Sequence, residues 1–295
     1  MIRFSKYIWV YICISALVLI PGMYSLIRFG LKPSVDFTGG TLLEMKFSKS
    51  LPSGTIERIA KIRQFPVMTV QTIGDTSYGI RAGSATDEAI ISFQTAIAEE
   101  TGETPEILKK ETVGPILGAE LLFKSVVAAL LAIIAILLYV AYAFKNITFG
   151  ISAILALIHD VLVVFGSFSL LGHFFSVEVD TLFMTAFLTT MSFSVHDTIV
   201  IFDRIREYRK KDPRGHIRDI SDIALNETMG RSLINSFTII FMLLALVLMG
   251  GESVKWFAVA LLIGTVTGTY SSPFVATPLV ILWDFLEQKK KKKLL

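Results

Sequence analysis

Two histidine-aspartate pairs are the residues of this 295-residue chain whose types and settings could do chemistry. Asp197 stands in the apolar run TLFMTAFLTTMSFSVHDTIVIF, residues 181–202, with His196 before it and the basic stretch DRIREYRKK after it. An acid at the centre of a membrane helix costs roughly 2.5–3.5 kcal/mol on translocon-type scales, so it faces a bundle interior or a wet cavity. Asp197 is therefore a candidate proton-handling or ion-pairing group. The second pair, His159-Asp160 in LIHDVLVVF, repeats the spelling of VHDTIVIF: an aliphatic residue, His, Asp, any residue, then a mainly aliphatic run to Phe. Asp160 lies about 20 Å from the Ile147 end of its stretch at 1.5 Å per residue, near mid-bilayer. Two acids at different depths on adjacent antiparallel helices suit successive stations of a proton route. The alternative for Asp160 is that it holds His159 or a helix backbone in place.

Thr190, Ser194, Asp197 and Thr198 fall at i, i+4, i+7 and i+8, one polar stripe that must face helices or water rather than lipid. Asp197 is six residues before Asp203, about 9 Å inside that end of the helix; Asp180 and Asp203 bracket the helix as interfacial acids. A helix-packing hydrogen bond is the alternative to a functional charge at Asp197. Arg231, at the start of the next helix, is a natural ion partner, because an opposite charge favours the carboxylate while burial favours the acid. It reads equally as a positive-inside residue that snorkels to the interface.

Other chemistries find no matching pattern. Paired intramembrane aspartates could share a proton as in aspartyl proteases, but nothing else resembles such a site. The four histidines show no HExxH-type spacing, and no GxxxxGK[ST] phosphate loop occurs, so no metal, cofactor or ATP is expected. No nucleic-acid partner is expected either. An ion gradient remains as a source of work, at roughly 2.3 kcal/mol per elementary charge per 100 mV.

The elements that position these residues are membrane helices: 53% of the residues are hydrophobic, 18% are charged and mean hydropathy is +0.64, well above a soluble domain. Six stretches approach or exceed the length needed to span a bilayer: 7–27, 121–144, 147–171, 181–202, 233–249 and 256–283. The first is too long for a signal-peptide core and lacks a small-residue cleavage site, so it reads as an uncleaved helix, kinked at Pro21. The only cysteine, Cys13, lies within it, so no intrachain disulfide forms. Lysine and arginine gather before helix 1, at Lys145, after helix 4 and at Lys289–Lys293, which places both termini in the cytoplasm. Residues 29–120 would then form an extracytoplasmic domain, periplasmic in a bacterium. Its order reads βαββαβ: 41–48, helix 54–65, 66–73 and 78–83, helix 85–102 opened by a Thr-Asp cap, and 105–114, a ferredoxin-like α+β fold. The expected organisation is helix 1 with its N-terminus (1–28), this domain (29–120), helices 2–6 (121–285) and a basic tail (286–295). A cytoplasmic loop over about 203–230 would carry HIRDISDIALNET as a helix along the membrane surface, or as a partner-binding helix. Gly264 and Gly268 form a GxxxG packing spacing, and the lysine tail is a topology and anionic-lipid determinant.

Several segments together carry a family resemblance: VDFTGGT (35–41) with Asp36, Gly39 and Gly40, ALIHDVLVVFGSFSLL, SVHDTIVIFDRIRE, LNETMGRSLINS and GTYSSPFVATPL. In this order, over nearly the whole chain, they resemble the SecD/SecF family of bacterial protein-export membrane proteins, within the resistance-nodulation-division superfamily. The resemblance implies one half of a twelve-helix unit with SecD that assists the SecYEG translocon, often with YajC, in the inner membrane. It implies proton movement that drives periplasmic motion on a translocating polypeptide, without enzymatic turnover. Asp197 and Arg231 match the family's helix 4 acid and helix 5 arginine. Position 196 departs, carrying His where the family commonly has Asn; a histidine can share the proton or substitute for the amide as a hydrogen-bonding group. Half of a small-molecule exporter of the same superfamily, disfavoured by the modest extracytoplasmic domain, and a non-energised scaffold are the competing readings.

Overall fold

The computed structural model describes the backbone of residues 2–73, 75–144 and 146–294, and their side chains except at 252–253 and 287–294. Lys145 and the side chains of Lys289–Lys293, used above to orient the chain, lie outside the described residues. Two compact units emerge, residues 33–127 and residues 1–32 together with 128–295.

After a 3₁₀ turn at Phe4–Tyr7, helix α1 (Ile8–Phe29) leads to the first unit. That unit contains α2 (Val35–Thr38), β1 (Gly40–Lys46), α3 (Thr55–Ile62), β2 (Val67–Thr72), β3 (Ser77–Ala82), α4 (Asp87–Thr101) and β4 (Glu106–Val113). The sheet order is β2-β3-β1-β4 with every neighbour antiparallel, the ferredoxin-like arrangement expected of a βαββαβ chain. Alternation sets the buried face: Leu43 and Met45 of β1 and Phe47 just after it point inward and pack with Ile56 and Ile59 of α3 and Phe93 and Ile97 of α4. Thr86 caps α4 by accepting from the Ala89 N–H at 3.3 Å, and Gly102 ends it in the left-handed region. The two glycines of VDFTGGT are required by space as well as backbone. Gly39 (φ +72) would place a Cβ 2.6 Å from the Pro115 Cα, and Gly40 (φ +120) one 2.6 Å from the Ala82 carbonyl oxygen. Asp36 sits on α2, whose Ser34 cap accepts from the Asp36 N–H at 3.2 Å.

The second unit is built from α1, α5 (Pro115–Ala143, from residue 128), α6 (Ile147–Phe175), α7 (Thr181–Lys211), α8 (Ile217–Met249), α9 (Glu252–Ser271), a π-helical turn at Ser272–Ala276, and α10 (Thr277–Leu294). Among the described residues, six helices are long and apolar enough to cross a membrane, the last running unbroken through α9, the π turn and α10. Helices α6, α7 and α9–α10 are half buried along their apolar windows, whereas α1, α5 and α8 are mostly exposed. Glycine lets α1 approach α6: a Cβ on Gly166 would come 2.8 Å from the Gly22 Cα, and Ser25 and Ser169 share a buried 2.8 Å hydrogen bond beside it.

The stretch 203–230 is not a loop bearing a surface helix. Helix α7 continues to Lys211 and α8 starts at Ile217, leaving only residues 212–216 between them. The apolar face of HIRDISDIALNET is spent inside the protein, where Ile217, Ile220, Ala224 and Leu225 join the buried core. No proline interrupts 217–249, so the helix propagates through the amphipathic segment into the apolar one. Charged residues tie the extended ends together: Arg204 and the Tyr208 hydroxyl both bond to Glu227, and Arg209 reaches Asp284 at 2.8 Å.

Candidate functional site

Asp160 is a buried acid tied to three helices of the helical unit. It lies on α6, 5% exposed, and its Oδ2 accepts hydrogen bonds from the Ser194 hydroxyl of α7 and from the Ser271 hydroxyl of α9, the latter at 2.6 Å. Its Oδ1 lies 2.9 Å from Nδ1 of His159, itself buried. Three helices thus converge on one carboxylate, which suits the rule that a buried charge needs several donors. Of the two readings of Asp160, the anchoring one named His159; the geometry adds Ser194 from the polar stripe and Ser271, which sequence reasoning missed.

The stripe on α7 lies against α9. Thr190, Ser194 and Thr198 are each buried, and the glycines of GTVTG give them room. A Cβ on Gly264 would overlap the Thr190 side chain, and one on Gly268 would come 3.1 Å from the Ser194 Cα. Thr198 shares a 2.8 Å hydrogen bond with Ser272, and its hydroxyl donates to the Ser194 carbonyl at 3.1 Å. Ser271 and Ser272 stand where α9 opens into the π turn at Ser272–Ala276, beside Pro273. Proline lacks the N–H that would close an α turn, and π turns inside helices often accompany functional sites. The signal in the sequence was the pair of serines before this proline, SSP at 271–273.

Asp197 occupies a more open setting. It is half-buried, and its Oδ2 accepts from the Ser232 hydroxyl of α8 at 2.5 Å. With exposed His196 it borders a cavity of about 410 Å³ between α7, α8 and α9, lined also by Asn235, Ser236, Thr265 and Thr269. The Thr265 hydroxyl is buried and has no hydrogen-bond partner among the described residues. Arg231 is exposed, and among the described residues it forms no ion pair; the partner of Asp197 is the serine one position further on. One helical step of about 100° separates the two side chains, which spacing along the chain alone could not resolve. Asp180 caps α7, accepting from the Phe183 N–H at 2.7 Å. Among the described residues, no three His, Cys, Asp or Glu side chains cluster as metal ligands. The arrangement can hold and pass protons between carboxylates, hydroxyls and imidazole inside an apolar shell.

Residues 93–285 match the model of the protein export membrane protein SecD/SecF C-terminal region, and residues 24–50 match the SecD/SecF GG motif. The protein translocase subunit SecF of Thermobaculum terrenum is 38% identical over 96% of this chain and 94% of its own length. That of Vibrio alginolyticus is 37% identical over 95% and 88%. The crystal structure of SecDF from Thermus thermophilus, a translocon-associated membrane protein, superposes with a TM-score of 0.84 at 30% identity. The match covers 96% of this chain but only 38% of SecDF.

Proposed function

The chain belongs to the SecD/SecF family of protein-export membrane proteins and takes part in protein translocation, and from this premise we propose that it is a proton-driven, non-enzymatic subunit paired with SecD. In SecDF of Thermus thermophilus this chain's counterpart is one stretch of a longer polypeptide, which supports SecD as the missing half. The complex would assist the SecYEG translocon, with YajC, in the bacterial inner membrane. Both termini would be cytoplasmic, and the 33–127 unit would act on the translocating polypeptide outside.

The observation that carries the reading is Asp197: a half-buried carboxylate within a membrane span, held by one serine and bordering a polar-lined cavity. Such an acid can change protonation without dismantling its surroundings, as a transported proton requires. Asp160, His159 and His196 are further candidates for the route, with Arg231, the residue before the Ser232 that holds Asp197, as its ion partner when the helices move. The test is Asp197→Asn in a complex reconstituted with SecD and SecYEG, following late-stage export with and without a proton gradient. Loss of the gradient-dependent increment is expected; an undiminished response would remove Asp197 from the route. Arg231→Leu behaving as the parent would remove the ion pair separately.

A further inference from the structure

His159 is used on one side only. Its Nδ1 meets Asp160 Oδ1 at 2.9 Å, while its Nε2 is buried and has no hydrogen-bond partner among the described residues. With Nδ1–H donating to the carboxylate, Nε2 carries the lone pair and is poised to receive a proton. The ring borders a second cavity of about 410 Å³, between α1, α6 and α9. Apolar side chains line most of it, but Ser15, Ser167, Thr267 and Tyr270 also contribute to its wall. The Tyr270 hydroxyl donates to the Tyr11 carbonyl at 2.8 Å and lies 3.4 Å from Ser15 Oγ. This cavity shares no lining residue with the one beside Asp197; Gly268 and Tyr270 of α9 belong to opposite walls.

We propose that His159 is a proton port for Asp160, served from the α1/α6/α9 cavity independently of Asp197. When the ring tilts to bring the buried Nε2 to the cavity wall, a hydronium ion there gives its proton to Nε2 as the Nδ1 proton passes to Asp160 Oδ1. The carboxylate becomes a carboxylic acid, water is left behind, and the ring is again neutral in its other tautomer. The reverse transfer, from Asp160 Oδ1 to Nδ1 and from Nε2 to water, restores the starting state. Neutralising Asp160 weakens the charge-assisted bonds from Ser194 and Ser271, so the proton loosens the junction of α6, α7 and the π turn. The groups facing the pair are Ser194 from α7 and Ser271 and the titratable Tyr270 from α9; Tyr270 in turn meets Ser15 and the Tyr11 backbone carbonyl of α1. Among the described residues, no lysine or arginine forms an ion pair with Asp160.

The proposal deepens the proton-relay reading, yet its test does not pass through export, so the two can fail separately. The full chain with SecD is subjected to a pH jump while the infrared carboxyl absorption lost in Asp160→Asn is followed in time. His159→Asn, which keeps the bond to Asp160 but has no Nε2, should slow this signal by about a hundredfold, the low end of what a positioned proton-transfer group contributes. Val266→Trp, which fills the α1/α6/α9 cavity while leaving His159 itself unsubstituted, should slow it as well, whereas Asn235→Trp in the Asp197 cavity should not. An unchanged rate in His159→Asn or in Val266→Trp overturns the port. So does a rate lowered equally by Asn235→Trp.

Discussion

The same dipeptide, His-Asp, occurs in the interior of α6 and in the interior of α7, and the two copies live in opposite surroundings. On α6 both residues are buried, and the acid holds three donors drawn from three helices. On α7 the histidine is exposed and the acid, half-buried, holds one serine beside a cavity. The cause is packing: α6 is enclosed by α1, α7 and α9, whereas α7 at this level is covered on one side by the mostly exposed α8. A short sequence echo therefore says nothing of role; the number of helices that surround it does. One acid is tied into a junction of helices, and the other borders open space.

Removing each acid should break this contrast most visibly. Asp160→Ala leaves two buried hydroxyls and an imidazole without their acceptor, and should lower stability by about 3 kcal/mol, as loss of one partner from a buried charged network does. Asp197→Asn keeps a hydrogen bond to Ser232 and should lower it by less than about 1 kcal/mol. Thermal unfolding of the purified chain in one detergent checks both; equal losses would erase the distinction. A smaller effect sharpens it on the α7–α9 seam. Gly264→Ala drives a methyl group into Thr190 and should cost about 1–3 kcal/mol, while Gly268→Ala, with 3.1 Å available, should cost less in the same measurement.

The smallest effect belongs to an acid with no membrane around it. In the 33–127 unit, Glu103 receives the side-chain and backbone donors of Ser48, which hold its carboxyl below the usual glutamate range. A folded value below the unfolded one means that the contribution is complete above the unfolded value, about 4.3, and fades as pH falls through the folded value. Glu103→Gln should lower thermal stability slightly near neutrality, where the Ser48 bonds contribute in full, and flatten its further loss below about pH 4.3. A melting series across that range decides it.

Much of this was legible beforehand because period and composition report it directly. The alternation of TLLEMKFS and the Thr-Asp cap at 86–87 locate β1 and α4 to within two residues, and the six apolar stretches are the six long helices. The stripe Thr190, Ser194 and Thr198 is inward-facing on α7, as its spacing required. What escaped depends on helix phase and on neighbours distant in the chain. Ser232, not Arg231, meets Asp197; Ser271 comes from 111 positions away to meet Asp160. The segment 217–230 has an amphipathic face that fits a membrane surface and a protein core equally well, and only the presence of α7 and the N-terminal turn decides for the core. There Ser5 donates twice to buried Asp222, each bond 2.8 Å long.

The π turn at Ser272–Ala276 also acts as a phase-setter for the last helix. A π turn amounts to one extra residue in an α-helix, so everything after Ala276 is rotated by about 100° relative to an uninterrupted helix. Gly264 and Gly268 can therefore face Thr190 and Ser194 while Val280 and Ile281, beyond the turn, still enter the core. Shortening 272–276 by a single residue would leave composition and hydropathy almost untouched. It would nonetheless set the two ends of the helix against each other, because the chain could satisfy one face or the other but not both.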